Sequence, residues 1–256
     1  VGDSSVQSPE AQNDQLGVGI MQYTNNIWVV DNEIDHIGGD SIQTESLPGY
    51  NIPADNFTDH HIFIGRNILH EDRENAIDVK RSHDVIISEN TMYGYRSVPS
   101  SADGSAIALH YTPYNIWIIN NRIKNSDCGI VSSGSRDWYI LGNEISNMSI
   151  CGIHVWGSGA TPIIGNTIYN AKRAIFNENT GNNGFNIINN VISNASEYHL
   201  YSDNSFSALN SSLENNLFYQ PNGRVIINWL LNIYNISQFQ AATGKCTNCL
   251  ETDPLF

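Results

Sequence analysis

Charge is scarce in this chain, and positive charge most of all. Only 15% of the 256 residues are charged, with 12 Lys or Arg against 26 Asp or Glu. A net charge of −14 and a pI of about 4.7 exclude a general binder of nucleic acid or anionic membranes, which needs a basic face. The acidity fits solubility or a saline habitat. No apolar run reaches the ~18 residues that suggest a membrane span. The nearest, Val225-Ile226-Ile227-Asn228-Trp229-Leu230-Leu231, is short and broken by Asn228. Helical periodicity is missing too; short β-branched runs take its place. No leader is visible at Val1, as expected of a mature chain or a piece of a longer one.

What the chain does have is one phrase, eight times over. Apolar residues lead to an Asn, then one residue, then another apolar one. The asparagines are Asn32, Asn67, Asn90, Asn121, Asn143, Asn166, Asn190 and Asn216, at intervals of 35, 23, 31, 22, 23, 24 and 26 residues. A period near 23 with two long exceptions marks a solenoid. Each repeat is one coil of a parallel β-helix, and the chain is all-β with eight or more coils. The Asn side chains stack as a buried ladder, each amide donating to the next so that none is orphaned. Regular coils span 17–220 of a single domain covering 1–256, and 221–256 hold the last coil and a cap.

A second column sets the register. Ile42, Ile77, Ile107, Ile130, Ile153 and Ile175 align as inward-pointing residues. Alternation then sends Gln43, Asp78, Ala108, Val131, His154 and Phe176 outward, and after them Glu45, Lys80, His110, Ser133, Trp156 and Glu178. These form one exposed strip. The two long coils carry insertions at 45–57 and 95–103, on either side of that strip near Glu45, Asp78, Lys80 and His110. Insertions on one face of a repeat protein commonly wall a binding groove; otherwise they are neutral surface loops.

Lys80 is the leading candidate for chemistry. With Arg81 beside it and His110 and Glu45 on adjacent rungs, its pKa can be depressed, which suits a base; otherwise it is a solvated lysine paired with Glu45 or Asp78. His110 can act as acid, base or hydrogen-bond donor to a sugar, or be structural. Trp156, with His154, offers a stacking platform for the apolar face of a sugar ring, or else packs under a loop. Tyr111 is a further platform. The acidic group Glu71, Asp72, Glu74 and Asp78, with Asp40 one coil earlier, presents either a calcium site or a solvated edge. The metal candidates are Asp40, Glu74 and Asn75.

Cys128 and Cys151 are 23 residues apart at the same coil position, within reach of a disulfide or of thiol stacking. Cys246-Thr247-Asn248-Cys249 lacks further zinc ligands nearby and reads as a short disulfide. Paired cysteines favour an oxidising compartment. The five Asn-x-Ser/Thr sites at Asn56, Asn147, Asn194, Asn210 and Asn235 are what chance gives in so Asn-rich a chain. Residues 236–244 read as a short helix with Ser237 as N-cap and Gly244 as its stop, covering the last coil's open edge.

The repeats over 17–220 resemble those of right-handed parallel β-helix proteins, the pectate-lyase-like superfamily. Locally, Glu74-Asn75-Ala76-Ile77-Asp78-Val79-Lys80-Arg81-Ser82 resembles the segment carrying the lysine base of chondroitinase B-like alginate lyases. Lys80 matches that base. His110 stands where that family has an arginine, and Arg73 and Asn75 where it has two calcium-binding glutamates. The closing Asp253-Pro254-Leu255-Phe256 resembles the start of the final segment in many bacterial β-helix proteins; that segment normally continues, and the resemblance implies the expectation of a truncated piece.

The resemblance implies a secreted, periplasmic or cell-surface protein of bacterial type acting on a polysaccharide. A lyase would cleave an acidic, uronate-containing glycan by β-elimination, with Lys80 as base and Arg81, His110 or calcium steadying the enolate-like charge; Glu45, Asp78, Tyr111, His154 and Trp156 would bind substrate. The alternatives are a glycoside hydrolase with Glu45 and Asp78 as paired carboxylates, or a non-catalytic glycan-binding adhesin or tailspike-type β-helix.

Overall fold

A computed structural model describes residues 15–46, 59–97, 104–156, 161–178, 184–203 and 210–255. The chain winds as a solenoid of stacked coils, each contributing up to three short strands. One column of strands includes Ile42–Glu45, Ile77–Lys80, Ser105–His110 and Cys128–Ser133, all parallel and in register. A second column forms a separate eight-stranded sheet that includes Asn25–Val30, Asp59–Gly65, Ser82–Ser88 and Tyr114–Ile119. A third includes Glu33–Asp35, Ile68–His70, Thr91–Tyr93 and Arg122–Lys124. The long strands Glu144–Trp156 and Thr167–Glu178 run through the bend between the third and first columns and fuse them.

The predicted inward column is correct. Ile42, Ile77, Ile107, Ile130, Ile153 and Ile175 pair rung to rung and are all buried. β-Branched side chains suit this role, because one stiff rotamer repeated at each rung packs without voids.

The asparagine ladder is continuous. Each amide nitrogen from Asn32 to Asn190 donates to the Oδ1 of the next asparagine at 3.0 Å. The same Oδ1 accepts the preceding asparagine's backbone N–H. Seven of the eight are buried; Asn32, at the open end, is exposed. The residue before each ladder asparagine sits in the left-handed region, which makes the corner that turns each side chain inward.

Cys128 pairs with Cys151 across adjacent rungs with Cα atoms 4.6 Å apart, and they are disulfide-bonded. Cys246 and Cys249 form the second disulfide.

The helix at Ile236–Thr243 covers the last coil, with Phe239 buried edge-on against Trp229. Its N-cap is Asn235, not Ser237. Asn235 accepts from the Gln238 backbone while the Gln238 side chain accepts from Asn235, so a capping box starts the helix two residues earlier. Gly244 ends it with φ of 67°, as predicted.

Candidate functional site

The two expected outward columns stand side by side on the first strand column. Glu45, Lys80 and His110 are in register, as are Gln43, Asp78 and Ala108. The strip is less open than alternation suggested. Asp78 is only 2% exposed and Gln43 7%, because longer neighbours fold over them. Lys80 Nζ lies 3.1 Å from Asp78 Oδ2 and donates to Gln43 Oε1 at 2.9 Å. His110 Nδ1 lies 3.0 and 3.1 Å from the two Asp78 oxygens. Asp78 is thus a buried bridge between two partly exposed basic side chains on successive coils. Direction from a sheet is not the same as access to water.

The expected depressed lysine is corrected to the opposite. Burial pulls the Lys80 ammonium down, but Asp78, Asp40 and Glu45 outweigh it and hold its pKa above the ordinary lysine value. Lys80 is therefore cationic at neutral pH. Arg81 is not its cationic antagonist; its guanidinium turns to Glu45 at 3.1 Å and lies 4.4 Å over the Tyr111 ring. Arg81 and Tyr111 both adopt left-handed backbone at the end of their strands, which swings the two side chains out together.

Asp40 is fully buried beneath Lys80, 3.9 Å from its Nζ. Desolvation first, and then the nearby Asp78 carboxylate, push its pKa up to about 8 despite Lys80. The carboxyl is mostly protonated at neutral pH.

The donor set Asp40, Glu74 and Asn75 does not fit calcium. Asp40 Oδ1 accepts from the backbone and side-chain amides of Asn75, Asn75 Oδ1 accepts from the Ser105 backbone, and Glu74 pairs with Arg73 at 3.2 Å. A calcium site needs several open oxygens converging on one point; of the buried oxygens here only Asp40 Oδ2 lacks a hydrogen-bond donor, and it lies 3.9 Å from the Lys80 ammonium. Nor are Glu71 and Asp72 one solvated edge, since Asp72 is buried under Ser41 and Tyr95. Among the described residues, the carboxylate–imidazole grouping that could meet a cation is Glu33, Asp35 and His70, on the third strand column.

His154 and Trp156 lie two coils further along. Trp156 is 43% exposed, consistent with a platform. His154 packs on Phe176 with ring centres 4.5 Å apart, and burial first, then Arg173, lowers its pKa to about 4. It is a neutral, packed ring. The two insertions fall almost wholly outside the described residues. The described start of the second, Tyr95, is buried and bonded to Asp72 and Ser41, while Arg96 and Ser97 hold Asp127.

Two features escaped the sequence reading. One is a second asparagine ladder, exposed, in which Asn147 donates to Asn125, Asn170 to Asn147 and Asn194 to Asn170. Its signal is an Asn four residues after each of four ladder asparagines. The other is a column of aromatic residues on the outer face of the second strand column. Three hollows of the described surface, of about 620 Å³ beside Asn147, Lys172 and Glu197, about 490 Å³ beside Trp28 and Trp117 and about 430 Å³ beside Leu16 and Ile37, do not touch Lys80.

The architecture agrees with the sequence comparison. Residues 54–218 match the family model described as the right handed beta helix region, and the chain belongs to that family. No curated protein matches the sequence. Among solved structures, the chain is similar to the Dettilon tailspike protein (gp208), at 16% identity and a TM-score of 0.40. The match covers 89% of this chain and 52% of that one, so this chain spans about half the tailspike's length.

Proposed function

We propose that the chain is a polysaccharide-acting β-helix that cleaves a uronate-containing glycan by β-elimination at Asp78, Lys80 and His110. The supporting observation is the basic–acidic–basic bridge itself. A β-elimination needs a cation to neutralise the uronate carboxylate and a base to remove the proton α to it. With its raised pKa, Lys80 suits the first role. His110 suits the second: Asp78 holds Nδ1, which directs Nε2 as the proton acceptor. The roles that the resemblance gave to these residues are exchanged.

In the step proposed, His110 Nε2 takes the proton from the carbon α to the carboxylate. The electron pair forms the new C=C bond, the glycosidic C–O bond breaks, and the leaving oxygen takes a proton from water or a nearby acid. Arg81 and Tyr111 border the site where the glycan continues, with Trp156 a platform two coils away. A hydrolase using Glu45 and Asp78 as paired carboxylates is disfavoured, because Asp78 is buried and engaged by Lys80 and His110.

The test is product chemistry. Alginate, pectate and glycosaminoglycans are incubated with the protein, and unsaturated product is read by ultraviolet absorbance. His110→Gln should abolish turnover. Lys80→Met should lower it by at least 100-fold and also cost about 3 kcal/mol of stability, because it strips a partner from buried Asp78. New reducing ends without absorbance would replace the lyase by a hydrolase. Binding without either product would leave an adhesin.

A further inference from the structure

The outer face of the second strand column carries Trp28, Phe63, Ile86, Trp117 and Tyr139 in one register, rung after rung. Trp28 is 76% exposed and Ile86 39%. This is an unusual place for aromatic side chains, since the inward faces of the same strands already supply the core. Phe63 lies flat along its strand. A Cβ on Gly65 would sit 2.4 Å from the Phe63 ring, so the missing side chain lets the ring lie against the backbone. Trp117 leans the other way, its indole N–H donating to Asn115 at 3.0 Å, and it stacks on Tyr139 at 4.1 Å between centres. Ile86 is shorter than its neighbours Phe63 and Trp117, and the strip dips there into the hollow of about 490 Å³.

One edge of the hollow is polar. Asn26, His61, Asp84 and Asn115 line it beside Trp28, Phe63, Ile86 and Trp117. All four polar residues have left-handed backbone, a repeated corner that turns their side chains along the strip. Asp84 is bonded to Asn115 and, at 2.8 Å, to His83. The hollow therefore joins an apolar, aromatic floor to a row of amide, imidazole and carboxylate groups, and neither Lys nor Arg lines it.

We infer that this face is a second glycan-binding site, distinct from the strip at Lys80, and that it takes a neutral polysaccharide. A sugar ring has an apolar C–H face that packs on aromatic and aliphatic surface, and hydroxyls around its rim that need donors and acceptors. The strip offers both side by side. A uronate chain would meet the Asp84 carboxylate with no Lys or Arg in the lining to offset it, so charge favours a neutral glycan here. Because the column runs along the solenoid axis, successive rungs can hold successive sugars of one chain.

The experiment is affinity electrophoresis of the protein through gels containing hydroxyethylcellulose, laminarin, glycogen, galactomannan or arabinoxylan, with polygalacturonate as the acidic comparator. At least one neutral polysaccharide should retard the protein. Trp117→Ala should weaken that retardation at least tenfold, and Trp28→Ala at least threefold. Trp28 is so exposed that its loss cannot unfold the chain, which keeps the test decisive if Trp117→Ala is unstable. Lys80→Met should leave the neutral-glycan retardation unchanged, so failure of the lyase reading and of this one are distinguishable. No retardation by any neutral polysaccharide, or full retardation of both tryptophan variants, would overturn the proposal. So would a concentration-dependent dimer that Trp28→Ala abolishes, since a second copy would then be the occupant.

Discussion

The first three complete coils and the later ones share a backbone and differ in almost everything placed on it. Between Asn32 and Asn121 the ladder intervals include the long 35 and 31, and the first strand column carries Gln43, Asp78, Lys80 and His110, with Asp40 buried just before it. From Asn121 to Asn216 the intervals stay within 22 to 26, and the same outward positions hold Val131, Ser133, His154, Trp156, Phe176 and Tyr201. Yet every ladder link measures 3.0 Å in both regions. Register is set by the isoleucine column and the asparagine corner. The outward face and the inserted loops are then free to vary, and the early coils use that freedom to bury a network of charge.

The most severe way to break this comparison is to cut the ladder. Asn143 receives from Asn121, donates to Asn166 and donates to the Ile118 carbonyl. Asn143→Ala orphans several buried groups at once, at about 1–3 kcal/mol each. Chemical denaturation should show one of the largest single-site losses in the chain, and Asn90→Ala in the charged region should match it. A much smaller loss in either region would mean that the ladder does not hold the two alike.

A smaller effect separates the regions by pH. In the early coils Asp40 titrates near 8 when folded, against an ordinary value of 3.8. The folded state then holds the extra proton between those values, so stability falls as pH rises from 3.8 through about 8. Asp40→Asn should flatten this fall. In the later coils His199 is pushed down to about 4 by burial, against 6.5. Its ring accepts from the Ile226 N–H at Nδ1 and meets the Tyr219 carbonyl at Nε2, an arrangement only the neutral form satisfies. The unfolded state takes up the proton first, so stability falls as pH drops from 6.5 through 4. His154 adds to the same limb. Thermal melts from pH 4 to 9 should show the two opposed between pH 4 and 6.5 and the Asp40 fall alone from 6.5 to about 8, and Asp40→Asn should remove that upper fall.

Which parts were legible in the sequence follows from the same contrast. The ladder and the Ile column could be read because each repeats one residue type at one position, and repetition survives insertions. The site residues could be placed on a strip, but not their burial, because alternation gives direction and says nothing of a neighbour's reach. Lys80 and His110 fold over Asp78, and that inverts the charge argument for Lys80. The aromatic column on the second face was hidden inside continuous apolar phrases such as Asn115-Ile116-Trp117-Ile118-Ile119, where inward and outward residues look alike. Asn235 was passed over as the helix cap because Ser237 also suits an N-cap, and only the reciprocal bonds with Gln238 decide between them.

The mildest prediction compares the two ladders of the regular coils. Asn147, on the exposed ladder, donates to Asn125 and accepts from Asn170, with φ of 59°. Its bonds compete with water, so their loss should cost about 1 kcal/mol or less. Alanine would add strain, since a left-handed backbone costs a residue with a Cβ roughly 1–2 kcal/mol. Glycine would remove the bonds without that strain. Asn147→Gly should therefore be nearly neutral in denaturation, and Asn147→Ala worse by about 1 kcal/mol. If the two variants lose equal stability, the exposed amides rather than the backbone corner hold these coils, and the second ladder is structural in the same sense as the first. If glycine is neutral, asparagine recurs there because it tolerates the turn, and of the two ladders only the buried one ties coil to coil.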